Sequence, residues 1–234
     1  MEEKQRVEDV RRTVGEELAR KGLELGAIRL SVQEPFLWAS GYRMPIYNDN
    51  RTFLQDPQAR QLIASGFSQI LEILSCDPDW IAGTATAGIP HAATLADLMR
   101  LPLCYVRSTS KGHGLGQTIE GLGRKERFQQ EVVILVEDLI STGGSSLRAV
   151  GALQSAGAQV PYCLAVFSYD LTKAAEGFRS LENSCIPVPL LKYGALIALA
   201  REEGYISGEE AESLSQWRED PFGWGEARGF PRKE

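Results

Sequence analysis

The sequence predicts an α/β fold, a parallel central sheet with helices on both faces, and three observations carry that expectation. Apolar runs of strand length alternate with amphipathic segments of helix length through the middle of the chain. One run, Val132-Val133-Ile134-Leu135-Val136, is uninterrupted, as a strand covered on both sides should be. At 234 residues and 43% hydrophobic content, the chain has the size and composition for one globular core.

The elements follow in order. Val7, Val10, Val14 and Leu18 recur at three- and four-residue steps, which marks residues 7–21 as a helix. Residues 36–51, with Gly41, Pro45 and the polar run Asn48-Asp49-Asn50, read as a loop or hairpin. Asp56-Pro57 opens a second helix, because Asp accepts from free amide groups at an N-cap and Pro suits the first turn. Its apolar face is Leu62, Ile63, Phe67, Ile70, Leu71 and Leu74. Strands are then expected over 80–83, 103–106, 131–136 and 160–167, and helices over 89–99 and 145–156. Residues 107–130 are polar with little periodicity. After Pro189 come helices over 193–203 and 208–217, and from Asp220 an irregular Gly- and Pro-rich tail.

Composition narrows the function classes. A net charge of -6 does not suggest general nucleic-acid binding, which rests on clustered cations. No apolar run approaches the roughly 18 residues of a membrane-spanning helix. Residues 1–12 are too charged for a secretion leader. Cys76, Cys104, Cys163 and Cys185 show no C-x-x-C spacing, so a reducing cytoplasmic setting is expected rather than a disulfide framework or a structural metal site.

The chemistry concentrates in residues 132–146, VVILVEDLISTGGSS. An apolar strand ends in the acids Glu137 and Asp138, and a loop of Ser, Thr and Gly leads into a helix. In a parallel sheet, ligands bind beyond the carboxyl ends of the strands, where this loop falls. Gly143 and Gly144 let the backbone approach an anion, Ser141, Thr142 and Ser145 add hydroxyl donors, and the helix N-terminus offers free N–H groups. The segment reads as a phosphate cradle. Acids beside a phosphate need a purpose: hydrogen bonding to ribose hydroxyls is one, and holding Mg²⁺ directly or through water is another. No Gly precedes a Lys, which excludes a Walker loop, and Gly112, Gly114 and Gly116 do not complete G-x-G-x-x-G.

This acidic pair with its Thr-Gly-Gly-Ser loop resembles the signature of type I phosphoribosyltransferases. Three further segments resemble orotate phosphoribosyltransferases in particular. They are Trp38-Ala39-Ser40-Gly41 with Pro45-Ile46-Tyr47-Asn48-Asp49-Asn50-Arg51, residues 82–91 (AGTATAGIPH), and Cys104-Tyr105-Val106-Arg107-Ser108 leading to Lys111-Gly112-His113-Gly114. Gln216-Trp217-Arg218 is also similar to bacterial members. The resemblance implies a type I phosphoribosyltransferase fold with a small hood. It would be a single domain over 1–234, with an N-terminal helix and hood over about 1–55, a core over about 56–188 and a helical extension and tail over about 189–234. It implies transfer of the phosphoribosyl group of phosphoribosyl pyrophosphate (PRPP) to orotate, giving orotidine 5'-monophosphate and pyrophosphate in pyrimidine biosynthesis. It further implies Mg²⁺ as cofactor, a cytoplasmic location, and a homodimer with shared active sites.

Residue roles follow from the same resemblance. Glu137, Asp138, Leu139, Ile140, Ser141, Thr142, Gly143, Gly144 and Ser145 would bind PRPP, with the loop around the 5-phosphate and both acids on the ribose. Thr84, Ala85, Thr86, Ala87 and Gly88 would receive the pyrophosphate. Arg107, Lys111 and His113 would meet it from a closing loop; with Asp138 they are the expected catalytic residues. Cations there favour the transition state because the leaving pyrophosphate gains charge, and a closed loop excludes water. Ser40, Gly41, Tyr47 and Ser141 would hold orotate, Tyr47 by stacking. Any Mg²⁺ would sit near Glu137 and Asp138 through substrate and water. His91 is expected to be structural. Three positions depart from the family pattern: Met44 replaces a Ser, Thr109 a second loop Lys, and Tyr169 an Arg that some members use for the orotate carboxylate. That carboxylate is left with Arg43 and Arg51 as candidates, and no general base or covalent nucleophile is named. The competing readings are a transferase for another base, a non-catalytic PRPP-sensing regulator, and a plain α/β interaction protein. A sensor has little use for Arg107, Lys111 and His113 aimed at a leaving group.

Overall fold

The structure is a computed structural model that describes residues 2–107, 118–125 and 127–233. The first helical stretch runs as α1 (Glu2–Val10), a π-helical turn (Arg11–Gly15) and α2 (Glu16–Glu24). Val7, Val10, Val14 and Leu18 are all buried, so the three- and four-residue spacing does mark the inward face. Gly15 lies against the far edge of the sheet: a Cβ there would come 2.6 Å from the Leu190 carbonyl oxygen.

The stretch expected as loop or hairpin holds four very short strands. β1 (Ile28–Leu30) pairs antiparallel with β4 (Ile46–Asn48), and β2 (Phe36–Leu37) pairs antiparallel with β3 (Arg43–Met44). These two ribbons form the hood. Strands of two or three residues are too short for an alternating pattern to register. A 3₁₀ turn (Asn50–Gln55) leads to α3 (Pro57–Ile73), whose cap is as expected: the Asp56 carboxylate accepts from the Gln58 N–H at 2.8 Å, with Pro57 in the first turn.

The core continues through β5 (Trp80–Thr84), α4 (Gly88–Met99), β6 (Leu103–Val106), β7 (Ile119–Glu120), β8 (Val133–Ile140), α5 (Gly144–Ser155), β9 (Tyr162–Ser168), α6 (Thr172–Arg179), β10 (Ile186–Lys192), α7 (Tyr193–Glu202) and α8 (Gly208–Glu219). Among the described residues the main sheet has the order β10-β9-β8-β5-β6-β7, with every pairing parallel except β6–β7. One apolar cluster lies under α3, α4 and α7, with Phe67, Ile134, Val136 and Leu196 among its members. A second, with Leu135, Val150, Leu153 and Cys163, lies under α5. The expected α/β architecture is therefore the observed one.

The end of β8, and α6 and β10 as elements, were not legible. β8 runs four residues beyond the apolar run, because Glu137, Leu139 and Ile140 continue to pair with β9. α6 has only eight residues. β10 carries Pro187 and Pro189, which argue against a strand by removing ladder donors. It tolerates them because it is the edge strand: the Ile186 N–H donates inward to the Pro161 carbonyl at 2.8 Å, and the alternate positions face outward. The outward Pro189 carbonyl accepts instead from Arg11 Nε at 2.9 Å. The boundary expected near residue 188 thus falls inside a strand of the sheet.

An aromatic cluster of Trp38, Tyr169, Tyr193 and Trp217, with ring centroids 5.1–6.3 Å apart, joins the hood to α8 and to the end of β9. Met44 is fully buried beside it, and its sulfur accepts from Trp217 Nε1 at 3.0 Å. The side chain at position 44 therefore packs between hood and core.

Candidate active site

The chain passes from β5 to its neighbour β6 on one side, then returns to place β8 on the other. Loops leaving β5 and β8 therefore diverge, and a crevice opens at their carboxyl ends, where open α/β sheets bind ligands. Both expected anion loops, residues 84–88 after β5 and 141–145 after β8, fall at this switch point. Arg107 follows β6 on the same edge of the sheet.

The two loops are built closely against one another. Gly88 packs on β8 so tightly that a Cβ would come 2.5 Å from Thr84 Oγ1 and 2.6 Å from the Val136 carbonyl oxygen. The Ala85–Thr86 peptide bond is cis, and Thr86 is exposed at the loop tip. After β8, Gly143 takes a left-handed φ of 81°, which an L side chain rarely adopts, and α5 begins at Gly144. Ser141, Thr142 and Gly144 are half-buried, while Ser145 is exposed.

The acids divide. Glu137 is 4% exposed, and its two oxygens accept from four protein donors. Oε1 accepts from Thr84 Oγ1 at 2.6 Å and the Asp138 N–H at 3.2 Å; Oε2 accepts from Ser145 Oγ at 3.1 Å and Ser146 Oγ at 3.0 Å. A carboxylate so engaged is a tie between the two loops. Asp138 is the half-buried member; burial first, and the neighbouring Glu137 second, hold its carboxyl above the usual carboxylate range. Leu139 and Ile140 are strand residues: Ile140 is 2% exposed and its carbonyl accepts from the Tyr169 N–H at 3.1 Å. They precede the loop of residues 141–143, after which α5 begins at Gly144.

Asn50 was missed. It is 1% exposed and its Nδ2 donates to the Asp138 carbonyl at 2.6 Å, tying the hood to the end of β8. The signal was the polar run Asn48-Asp49-Asn50, which reads equally as a solvated turn. Ser146 was likewise missed, although it closes the quoted signature.

Of the residues expected to hold orotate, Ser40, Gly41 and Tyr47 are spread over the hood. Ser40 and Gly41 form the turn between β2 and β3, and Gly41 has φ 83°. Tyr47 is half-buried, and the Arg29 guanidinium already covers its ring, 4.7 Å from the centroid. Tyr169 is buried among aromatic rings; burial, then the nearby Tyr47, push its phenol well up, and it lies near the hood without replacing a cation. Arg43 donates to the Pro35 carbonyl at 3.1 Å, and Arg51 is bidentate to Asp49 at 2.6 and 2.7 Å. Arg107 donates toward Glu120 at 3.4 Å. Lys111, His113 and Thr109 lie outside the described residues. His91 is 1% exposed in the first turns of α4, in keeping with a structural role.

Comparison with known proteins matches this arrangement. The family described as "Phosphoribosyl transferase domain" matches residues 49–176. The orotate phosphoribosyltransferase of Listeria monocytogenes serotype 4b is 46% identical over 214 residues, 91% of this chain and 99% of that protein. That of Streptococcus pneumoniae serotype 4 is 45% identical over 92% of this chain and 99% of its own. Among solved structures, orotate phosphoribosyltransferase from Aeropyrum pernix superposes with a TM-score of 0.66 at 25% identity, over 81% of this chain and 99% of that one. The Leishmania donovani UMP synthase gives 0.71 at 25% identity over 88% of this chain, which spans only 42% of that longer protein. With the loops after β5 and β8 meeting at the switch point and these relatives over nearly its whole length, the chain belongs to the phosphoribosyltransferase family, among the orotate phosphoribosyltransferases.

Proposed function

We propose that the protein transfers the 5-phosphoribosyl group of PRPP to orotate, forming orotidine 5'-monophosphate and releasing pyrophosphate. The carrying observation is the pair of anion loops held together by Glu137 on either side of the β5–β8 crevice, with Asp138 between them. In this reading residues 141–145 take the 5-phosphate through backbone N–H groups and hydroxyls at the start of α5. Residues 85–88 take the pyrophosphate, and Asp138 accepts from a ribose hydroxyl. The orotate ring nitrogen attacks C1 from the face opposite the pyrophosphate, so the C1–O bond breaks as the C1–N bond forms, with inversion, and the ring nitrogen gives up its proton to solvent. Arg107, with Lys111 and His113 by resemblance, stabilises charge growing on the leaving group. Catalysis then comes from positioning and electrostatics, without a covalent nucleophile.

Among the described residues no group of three or more His, Cys, Asp or Glu forms a protein cage for a metal. That donor set fits Mg²⁺ carried by substrate phosphates, which uses one or two carboxylates and several waters. Asp138 is the side chain that would meet it, and the ion would neutralise pyrophosphate charge. No described helix is long and apolar enough to cross a membrane. The unpaired thiols of Cys104, Cys163 and Cys185 support a reducing, cytoplasmic setting. A homodimer with shared sites follows from the family resemblance, and sedimentation at assay concentration would check it.

The deciding experiment is a base panel with PRPP, with and without Mg²⁺. Loss of orotate absorbance only when both PRPP and Mg²⁺ are present is expected. Turnover of uracil or a purine in its place would reassign the substrate, and PRPP binding without any turnover would make the protein a sensor.

A further inference from the structure

We infer that residues 220–233 are a strap that positions the base-side turn of the hood, with the Lys233 main-chain N–H and the Arg232 side chain as its positioning groups. The inference rests on the reading that Ser40 and Gly41 serve the orotate side of the site.

The turn needs an external anchor. β2 and β3 contribute only two residues each, Phe36 facing Met44 and Leu37 facing Arg43, and so short a ribbon is marginal by itself. Its own closure consists of the Trp38 N–H to the Tyr42 carbonyl and the Gly41 N–H to the Trp38 carbonyl, each at 2.9 Å.

The strap supplies the rest from about 190 positions away. The Lys233 N–H donates to the Gly41 carbonyl at 2.9 Å, and Arg232 Nε donates to the Ser40 carbonyl at 3.2 Å. The Arg232 guanidinium lies 4.7 Å from the centre of the Tyr42 ring, and Phe222 packs edge-on against that ring at 5.1 Å. Gly41 has no room for a side chain, since a Cβ would run into the Lys233 carbonyl oxygen. Two consecutive carbonyls of the turn are thus held from outside the hood.

The strap is itself anchored. Trp224 Nε1 donates to the Ser213 carbonyl on α8 at 3.0 Å. Trp224 stacks on Phe230 at 6.4 Å and 14°, and Arg228 lies over the Trp224 ring at 4.8 Å. Gly225 fits against β3, where a Cβ would come 3.0 Å from the Arg43 carbonyl oxygen. The Gly- and Pro-rich composition that read as an irregular tail lets the backbone make these close approaches. The contacts described reach the hood and α8, and the anion loops after β5 and β8 take no part in them. Loosening the strap therefore lowers the fraction of molecules with a competent base side, which raises the apparent KM for orotate in proportion.

Lys233→Pro removes the donated N–H, whereas Lys233→Ala keeps it; Arg232→Ala removes the Nε bond and the ring contact. A neutral hydrogen bond such as that of Lys233 corresponds to roughly two- to tenfold in a binding equilibrium, and solvent exposure holds the charged Arg232 bond to about the same range. Lys233→Pro and Arg232→Ala should each raise the orotate KM within that range, leaving the PRPP KM and kcat within about twofold, and Lys233→Ala should match the parent. Hydrogen exchange gives a readout independent of activity: amides of residues 38–43 should exchange faster in Lys233→Pro and not in Lys233→Ala. Unchanged exchange in Lys233→Pro, or equal rises in both KM values, overturns the strap. If the parent protein does not turn over orotate while exchange responds as stated, the strap holds the turn but the assignment of the base side fails.

Discussion

Glu137 shows what a buried charge requires. Removed from water, a carboxylate is tolerated only when its lone pairs are used, and here four donors from β5, β8 and α5 use them. Glu137→Ala leaves those donors facing a void and should destabilise the fold by about 3 kcal/mol, a typical figure for breaking a buried charged network. Thr84→Val removes one charge-assisted bond and should lose about 2 kcal/mol. Denaturant midpoints of both variants and the double variant check this; the double should fall short of the sum, because the two share a bond. His91 is a second residue-scale case. Burial pulls its imidazole down to about 4 from an ordinary value of 6.5. The unfolded chain then takes up a proton below about pH 6.5 that the folded chain refuses until about pH 4. Its contribution is fully present above that window and is lost as pH falls through it. Urea unfolding at pH 7.5 and 5 should show a larger acid loss for the parent than for His91→Leu; equal losses would contradict it. Asp138 titrates with the opposite sign, its raised carboxyl disfavouring the folded state as pH rises, but it is common to both proteins and cancels in that comparison. In the proposed mechanism the ionised Asp138 is the useful form. Asp138→Asn should therefore lower kcat/KM for PRPP by at least tenfold and remove the acid limb of its pH profile, whereas an unaltered limb would assign it elsewhere.

At the scale of elements, the loops work because glycine sits where a neighbour leaves no space. Gly88→Ala must push against Thr84 and the β8 backbone, neither of them a flexible side-chain end. It should weaken PRPP binding by at least tenfold while costing about 2 kcal/mol of stability, within the range for overpacking; calorimetric titration and thermal melts read the two separately. The same scale shows what the sequence carried. α3 was legible to its cap because Asp56-Pro57 acts locally, and β5, β6, β8 and β9 because buried parallel strands read as apolar runs. β10 was hidden by prolines whose acceptability depends on being at an edge, which is a tertiary fact. The hood strands were hidden by their brevity. In the candidate site, the strand–loop–helix that carries residues 141–145 was legible from composition and spacing. The inward turn of Glu137 was not, because two adjacent acids look alike until α5 sets Ser145 and Ser146 beside only one of them. The packing of Met44 was hidden for the same reason: its partner, Trp217, lies 173 positions away.

For the whole molecule, strand order locates the chemistry. Because β5 lies between β6 and β8, the loops that follow β5 and β8 open to opposite sides, and a crevice forms without any residue devoted to making it. A cavity of about 610 Å³, lined by Val7, Arg11, Ile140, Phe178 and Val188 among others, lies beside the edge strand β10. Strand order, the glycine approaches and the Glu137 tie favour the switch point over it as the place for the ligand. A crystal structure of the protein with PRPP and Mg²⁺ tests this most directly. The 5-phosphate should lie against the backbone amides of residues 142–145, with the ribose beside Asp138 and the pyrophosphate over residues 85–88. PRPP bound in the cavity beside β10, or a vacant cradle in crystals that bind PRPP elsewhere, would contradict it.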